Sequence, residues 1–461
     1  MKKGDFLARM GSSGGADKPH LHMSMYVYAE DLPDHNPCIS GEPWEFSEAF
    51  MQEVVQSGEP DVNDWDPLVG EEPPFDGGVT GFHIWGDPLG PRVDHVFVEN
   101  GTMPAVAATA SGGLIAYKSA SNVLEAAGFT IDLGGQIDLG PEDVQGAAFD
   151  FDVARINQVE PHAVVAFIDS LTRLSFIPYF VESDADIIVG TKHNESSTGA
   201  QLVRATASPN DNGIVVAIKN SLDGVSVVNY ETTRVGTNIS ISREDSDLTA
   251  PEILDLDIAT IVAGRSLSET SGAFKGVVTA ERRADNTLWL QSWKLDATGS
   301  NIDQIDEKQV TTLVGNHSFE VSDLDVTVTG GFGREFILVS SALEDNADNL
   351  RVQSWQISSL GILSRVDQFD GGGPVSHLSS ARSGVQDALV GMRLGTSSHT
   401  LISFHVMSSG LIRRVGTWDG ENIQALALTG RSTQEDAFAL FRTASGMLDL
   451  ARYVTNYMWT L

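Results

Sequence analysis

Beyond about Gly81 the chain is a succession of short runs in which hydrophobic and polar residues alternate, broken by turn clusters such as Ser208-Pro209-Asn210-Asp211-Asn212-Gly213. Alternation sends successive side chains to opposite faces, so these runs predict half-buried strands. No apolar stripe of helical spacing has comparable strength in this region. Within the strands one signature recurs: an aromatic residue, an apolar or β-branched residue two places on, and a turn residue six places on. It occurs as Phe129, Ile131, Gly135, as Tyr230, Thr232, Gly236 and as Trp293, Leu295, Gly299. It returns as Trp355, Ile357, Gly361 and as Phe404, Val406, Gly410, with Phe180 and Asp186 a looser copy and Tyr453 closing the series.

The aromatic positions 129, 180, 230, 293, 355, 404 and 453 are 51, 50, 63, 62, 49 and 49 residues apart. A period near 50 is the length of a four-stranded propeller blade with its loops. A strand follows each turn, as at Ile362–Val366 and Leu411–Val415, and another precedes each aromatic strand, as at Asp387–Met392 and Glu435–Leu440. Ala, Gly and Ser crowd the strands expected nearest the axis. The expectation is therefore an all-β protein with a seven-bladed β-propeller over 81–461, Gly81–Val98 supplying the strand that closes the ring. Eight blades result if that segment, whose Trp85, Gly90 and Val93 echo the repeat, is a blade of its own. The longer intervals place extended loops at Ser266–Gly272 and Glu344–Asn349. One aromatic per blade at a fixed strand position predicts packing between blades rather than an array for stacking sugars.

Residues 43–80 read as a connector. Phe46, Phe50 and Val54 recur every fourth residue and predict one helix over Pro43–Gln56, ended by Gly58 and Pro60. Pro60, Pro67, Pro73, Pro74 and Gly77-Gly78 then mark a linker with acidic residues.

Composition narrows the partners. Lys and Arg number 29 against 63 Asp and Glu, a formal charge of −34. Such a field repels phosphate backbones and anionic lipid surfaces, so nucleic acid is excluded as the expected partner. No run nears the roughly 18 apolar residues of a membrane-spanning helix. Cys38 is the only cysteine, so neither an intrachain disulfide nor a cysteine-based zinc cage can form. Lys2 and Lys3 have no apolar stretch behind them of the kind a signal peptide carries.

The stretch that carries chemistry is Lys3-Gly4-Asp5-Phe6-Leu7-Ala8-Arg9-Met10-Gly11-Ser12-Ser13-Gly14, followed by Pro19-His20-Leu21-His22 and the β-type run Met23–Tyr28. On a strand His20 and His22 share a face, where one imidazole can hold a metal while the other handles a proton or steadies an oxyanion. Lys3, Gly4, Leu7, Gly11, Ser13, Gly14, Pro19, His20, Leu21 and His22 resemble the closing motif of the lysostaphin/LytM-type zinc metallopeptidases. That resemblance, confined to residues 2–28, implies zinc as cofactor, His22 as a metal ligand and His20 as its catalytic neighbour. It also implies cleavage of peptide bridges in peptidoglycan by a zinc-bound water, in the periplasm or outside a bacterium. Residues 1–42 are then the end of such a domain, a partial antiparallel β fragment. The family's upstream His-x-x-x-Asp pair and a further histidine have no match here. His35 lies among Pro33, Asp34, Asn36 and Pro37 as an ordinary loop residue. The expectation is a truncated gene product or misplaced start whose zinc site cannot close, inactive as it stands.

Two functions follow: a cell-wall zinc endopeptidase carrying a propeller that holds glycan, peptide or a protein partner, or a non-catalytic propeller that binds a glycan or protein. The acidic loops Glu182–Asp186, Arg243–Asp247 and Glu344–Asp348 lack the spaced ligands of a calcium loop and read as solvated turns. His162, His193, His317, His377, His399 and His405 are scattered without ligand spacing.

Overall fold

The computed structural model describes residues 92–454 apart from short internal segments, of which 263–273 and 311–319 are the longest. Residues 1–42, the helix expected over Pro43–Gln56, the rest of the 43–80 linker and the segment up to Pro91 lie outside the described residues, as do His20 and His22. The described part is all strand and turn, every ladder antiparallel.

Its sheets are four-stranded meanders, as at Ala200–Ala207, Gly213–Asn220, Val225–Val235 and Asn238–Leu248. Two long strands serve two sheets each. Arg92–Ala108 pairs through Arg92–Asn100 with Met447–Val454, and from Gly101 onward with Gly112–Ser119. At the handover Gly101 is obligatory, since a Cβ there would stand 2.7 Å from Leu448 and 2.9 Å from Tyr117. Ile412–Arg431 likewise pairs first with Ser398–Val406 and, from Ile423, with Asp436–Thr443. Resolved this way, the described strands form seven sheets, and Arg92–Asn100 is the outer strand of the last. Arg92–Asn100, which includes the described part of the Gly81–Val98 segment expected to close the ring, pairs with the last sheet.

The seven aromatics explain how the sheets hold together. Each lies on the third strand of its sheet, and in five sheets a β-bulge immediately precedes it, at Phe129, Tyr230, Trp293, Trp355 and Phe404. A bulge bends the strand and re-aims the next side chain, here into the gap against the neighbouring sheet. Seven apolar cores fill those gaps, and each contains one aromatic from the third strand of a sheet near the repeat position: Tyr179, Tyr230, Trp293, Trp355, Phe404, Tyr453 and Phe129 in ring order. The last core joins Ile115, Tyr117 and Phe129 to Phe438 and Leu450, so the final sheet packs on the first. Burying one such ring removes roughly 150–250 Å² from water, about 4–6 kcal/mol before entropy is counted.

In the second sheet the packing residue is Tyr179 rather than Phe180. Tyr179 is fully buried and donates to Asp143 Oδ2 at 3.0 Å, whereas Phe180 is half-buried against His162. Six residues after Tyr179 stands Ala185, with φ 68°, where Gly135, Gly299, Gly361 and Gly410 have φ of 84°, 76°, 87° and 89°. The looser copy of the repeat is a displacement by one residue.

Candidate functional site

The innermost strand of every sheet faces a common cavity of about 780 Å³. These strands run beside one another in the same direction, because side chains spaced two apart on one reach amides spaced two apart on the next. Asp150 accepts from the Val203 amide and Asp152 from that of Ala205, each at 2.8 Å. Asp323 accepts from Leu378 at 3.0 Å and Asp325 from Ser380 at 2.9 Å. Asp257 accepts from Val326 at 2.7 Å, Ser379 Oγ from Leu428 at 2.9 Å, and Thr429 Oγ1 from Ala108 at 3.0 Å. Inner strands of adjacent sheets are thus joined by side chains in place of a backbone ladder, which satisfies buried amides that would otherwise be orphaned.

Three of these strands carry the same short motif: Asp150-Phe151-Asp152-Val153-Ala154, Asp255-Leu256-Asp257-Ile258-Ala259 and Asp323-Leu324-Asp325-Val326-Thr327. Arg204, on the inner strand between the first two, holds Asp150 at 3.1 Å and lies under the influence of Asp152, Asp255 and Asp257 as well. Burial works against its charge, yet the four carboxylates outweigh burial and hold its pKa above the ordinary value.

One guanidinium does not neutralise the whole belt. Burial pushes Asp152 up to about 6 despite Arg204. Asp323 rises to about 6, again chiefly by burial, with Asp255 adding to it. Asp257 and Asp325 are both raised, first by burial; Asp257 adds to the rise of Asp325 and Asp152 to that of Asp257. Burial thus moves the charge change of Asp152, Asp323 and Asp257 from the ordinary carboxylate range toward neutrality. Toward the other end of the inner strands Arg155 and Arg382 line the cavity, and Arg382 reaches Glu335 at 3.5 Å and the Gly330 carbonyl at 2.8 Å. Acceptors and donors on neighbouring strands thus face one space, of a size that takes a small polar ligand.

Small residues do crowd the strands that line this space, among them Ala105, Ala107, Ser379, Ser380, Ala381 and Ala427. Asp387–Leu394 and Asp436–Thr443 are second strands, and the innermost ones are Val375–Arg382 and the Ile423–Arg431 part of Ile412–Arg431. The aspartates were missed because acidic residues in short runs read as solvent-facing. The signal that finds them is the repeated Asp-apolar-Asp-apolar strand.

The histidines remain apart from one another. His405 Nδ1 lies 2.8 Å from Asp387, His399 Nδ1 is 2.6 Å from the Glu421 carbonyl, and His193 sits 3.4 Å from Glu195. Among the described histidines only His377 lines the cavity, with φ 52° and a pKa lowered by burial and then by Arg393. Among the described residues neither close group of metal-type ligands includes a histidine. Of the acidic loops, Asp245 and Asp247 accept the Ile302 and Gln304 amides of the next sheet. Glu182, Asp184 and Asp186 cluster on a largely exposed hairpin, and 344–348 lies outside the described residues.

No family model matches the chain, and no curated protein does. Among solved structures it is similar to AofleA from Arthrobotrys oligospora, at 10% identity over 72% of this chain and 93% of that one, with a TM-score of 0.42. It is similar to the SapL1 lectin in complex with alpha methyl fucoside, at 11% identity over 70% and 97% with a TM-score of 0.41. A protein from Lactobacillus plantarum is similar at 11% identity over 78% and 96%, with a TM-score of 0.44. Likeness of this extent carries no residue or ligand across. The all-β propeller class rests on the strand pairings and the ring of cores. Among the described residues no helix is long and apolar enough to cross a membrane.

Proposed function

We propose that the described domain is a non-catalytic binding module whose axial cavity holds a polar, hydroxyl-rich ligand of the glycan class. The observation that carries this reading is the cavity lining, where Asp152, Asp257 and Asp325 on three inner strands and Arg204 between them face one space. Each carboxylate spends part of its acceptor capacity on a neighbouring amide and keeps lone pairs for ligand hydroxyls. Charge-assisted contacts of this kind contribute about 1.5–3 kcal/mol each. Stacking on aromatic rings plays no part, because Phe129, Trp293, Tyr230 and their counterparts are buried between sheets.

The test is isothermal titration of ligands identified on a glycan array, with Asp152→Asn and Asp325→Asn as variants. Asparagine keeps an oxygen for the amide of the next strand, so the fold should persist by circular dichroism. Binding should weaken roughly tenfold or more in each. Glycans that bind both variants as tightly as the parent would defeat the cavity assignment, as would tight binding of basic peptides with no binding of glycans.

A second reading rests on the motif Lys3–His22 and its resemblance to lysostaphin/LytM-type peptidases. In it the propeller holds cell-wall glycan or peptide beside a zinc endopeptidase, with His22 as zinc ligand and His20 as catalytic neighbour. Zinc analysis of a product extended upstream in frame tests it: near-stoichiometric metal lost on His22→Ala supports it, and absence of zinc from that product excludes it.

A further inference from the structure

Away from the axis, a second group of acids stands where the ring closes. Glu99 lies on the strand Arg92–Ala108, two residues before Gly101, where that strand leaves the last sheet for the first. Glu125 is on the third strand of the first sheet and Glu142 on its fourth. The carboxylate oxygens of the three come within 4.8 Å of one another. Glu125 is 7% exposed, and among the described residues no Lys or Arg forms an ion pair with any of the three.

Like charges this close repel strongly unless protonated or bridged. Tyr117 adds an independent observation. It is the cross-strand partner of Glu125, its side chain is fully buried, and its hydroxyl makes no hydrogen bond of normal geometry. That hydroxyl faces the acids, near enough to Glu142 and Glu99 to interact with both. A buried hydroxyl without a well-formed hydrogen bond, set among three carboxylates, fits a cation site.

We propose that Glu99, Glu125, Glu142 and Tyr117 form a binding site for one calcium ion, which locks the strand that closes the ring. Oxygens bound to a common calcium at about 2.4 Å stand no more than about 4.8 Å apart, and calcium accepts irregular carboxylate geometry where magnesium demands a near-ideal octahedron. The hydroxyl completes the oxygen set or donates to a carboxylate oxygen that the ion leaves free. Bound there, the ion ties Glu99 on the strand shared by two sheets to the third and fourth strands of the first sheet.

The experiment is calorimetric titration of the chelator-treated protein with CaCl2, paired with thermal melts with and without calcium. One equivalent should bind and raise Tm, and magnesium should do so more weakly. Glu142→Gln, at an exposed carboxylate, should lower calcium affinity at least tenfold without unfolding the protein. Tyr117→Phe should lower it severalfold. Glu182→Gln, in the exposed Glu182, Asp184, Asp186 hairpin, should leave it unchanged. Absence of binding at millimolar calcium overturns the site. So does binding that survives Glu142→Gln but is lost in Glu182→Gln, and an equal response to magnesium overturns the calcium assignment.

Discussion

The hydroxyl of Ser354 donates to the carbonyl of Gly410 in the adjoining sheet at 2.6 Å, and the same bond recurs around the ring. Ser292 donates to the Gly361 carbonyl at 2.7 Å, Asn229 Nδ2 to that of Gly299 at 2.7 Å, and Arg452 Nη1 to that of Gly135 at 3.1 Å. In every case the donor immediately precedes an inter-sheet aromatic and the acceptor is the left-handed glycine of the next sheet's outer hairpin. At Gly128, before Phe129, there is no side chain, and the Ala185 carbonyl lies 2.5 Å from where a Cβ would be. Pro178, before Tyr179, has no donor to offer, and Ser403 is an exception that fits the geometry. Its next sheet ends in the strand Arg92–Asn100 and not in a hairpin, and Ser403 Oγ is buried without a partner among the described residues.

Removing the donor strands a buried carbonyl, which costs about 1–2 kcal/mol. Ser354→Ala and Ser292→Ala should each lower unfolding free energy by about that amount in urea titrations. Ser403→Ala has no bond to lose and should change stability by less than about 0.5 kcal/mol. Equal losses at Ser354 and Ser403 would remove the latch as an explanation of the repeat.

The glycines of these hairpins test the same joint from the other side. Gly361 and Gly410 have φ of 87° and 89°, and a Cβ on either would come within 2.7 Å of the ring of Phe274 or 2.5 Å of that of Phe336. Gly410→Ala should therefore cost the left-handed penalty of about 1–2 kcal/mol and a further loss from displacing a packed ring. Gly146→Ala, at φ 107° with open space around it, carries only the backbone penalty. The difference between the two variants in urea melts measures the packing contribution.

The period was legible because it is written in the residues that join sheets: one aromatic and one turn glycine per repeat, both under steric constraint. It slipped by one at Phe180 because the second sheet uses Ala185 where the others use glycine, which made Asp186 look like the turn. The cavity was illegible for a different reason. Its aspartates look like surface residues unless the strand Asp150–Ala154 is compared with Asp255–Ala259 and Asp323–Thr327, and their burial depends on seven strands converging. The group Glu99, Glu125, Glu142 is spread over 44 residues, and only strand pairing brings it together.

The buried carboxylates predict how stability changes with pH. Asp152 and Asp323, each near 6 when folded, have pKa values raised above those of the unfolded chain, so the folded state binds more protons in the interval. Their contribution is fully present below about pH 4 and is lost as pH rises through 6. Unfolding free energy should fall by about 1–3 kcal/mol between pH 5 and pH 8. Below pH 4 the slope reverses, because Asp169 and Asp285 have lowered pKa values, offset by burial and set by bonds to Arg173 and Thr287 respectively. Asp152→Asn should flatten the upper limb in urea titrations. A curve that rises steadily from pH 5 to pH 8 would refute the assignment.

Arg204 decides how much of that acidic belt the folded state tolerates. Its guanidinium reaches Asp150 and stands within range of Asp152, Asp255 and Asp257, all on the strands beside it. Arg204→Gln keeps a donor and most of the side-chain volume but deletes a charge that lowers both Asp152 and Asp257. Leaving buried charges without their partner costs about 3–5 kcal/mol, less here because Arg204 is partly exposed. The carboxylates can escape the penalty by taking up protons. The variant should therefore be destabilised by about 2–4 kcal/mol at pH 8 and by clearly less at pH 5, with its melting temperature rising more steeply on acidification than the parent's. If the loss is the same at both pH values, Arg204 acts through packing and its bond to the Val203 carbonyl rather than through the charge of the belt.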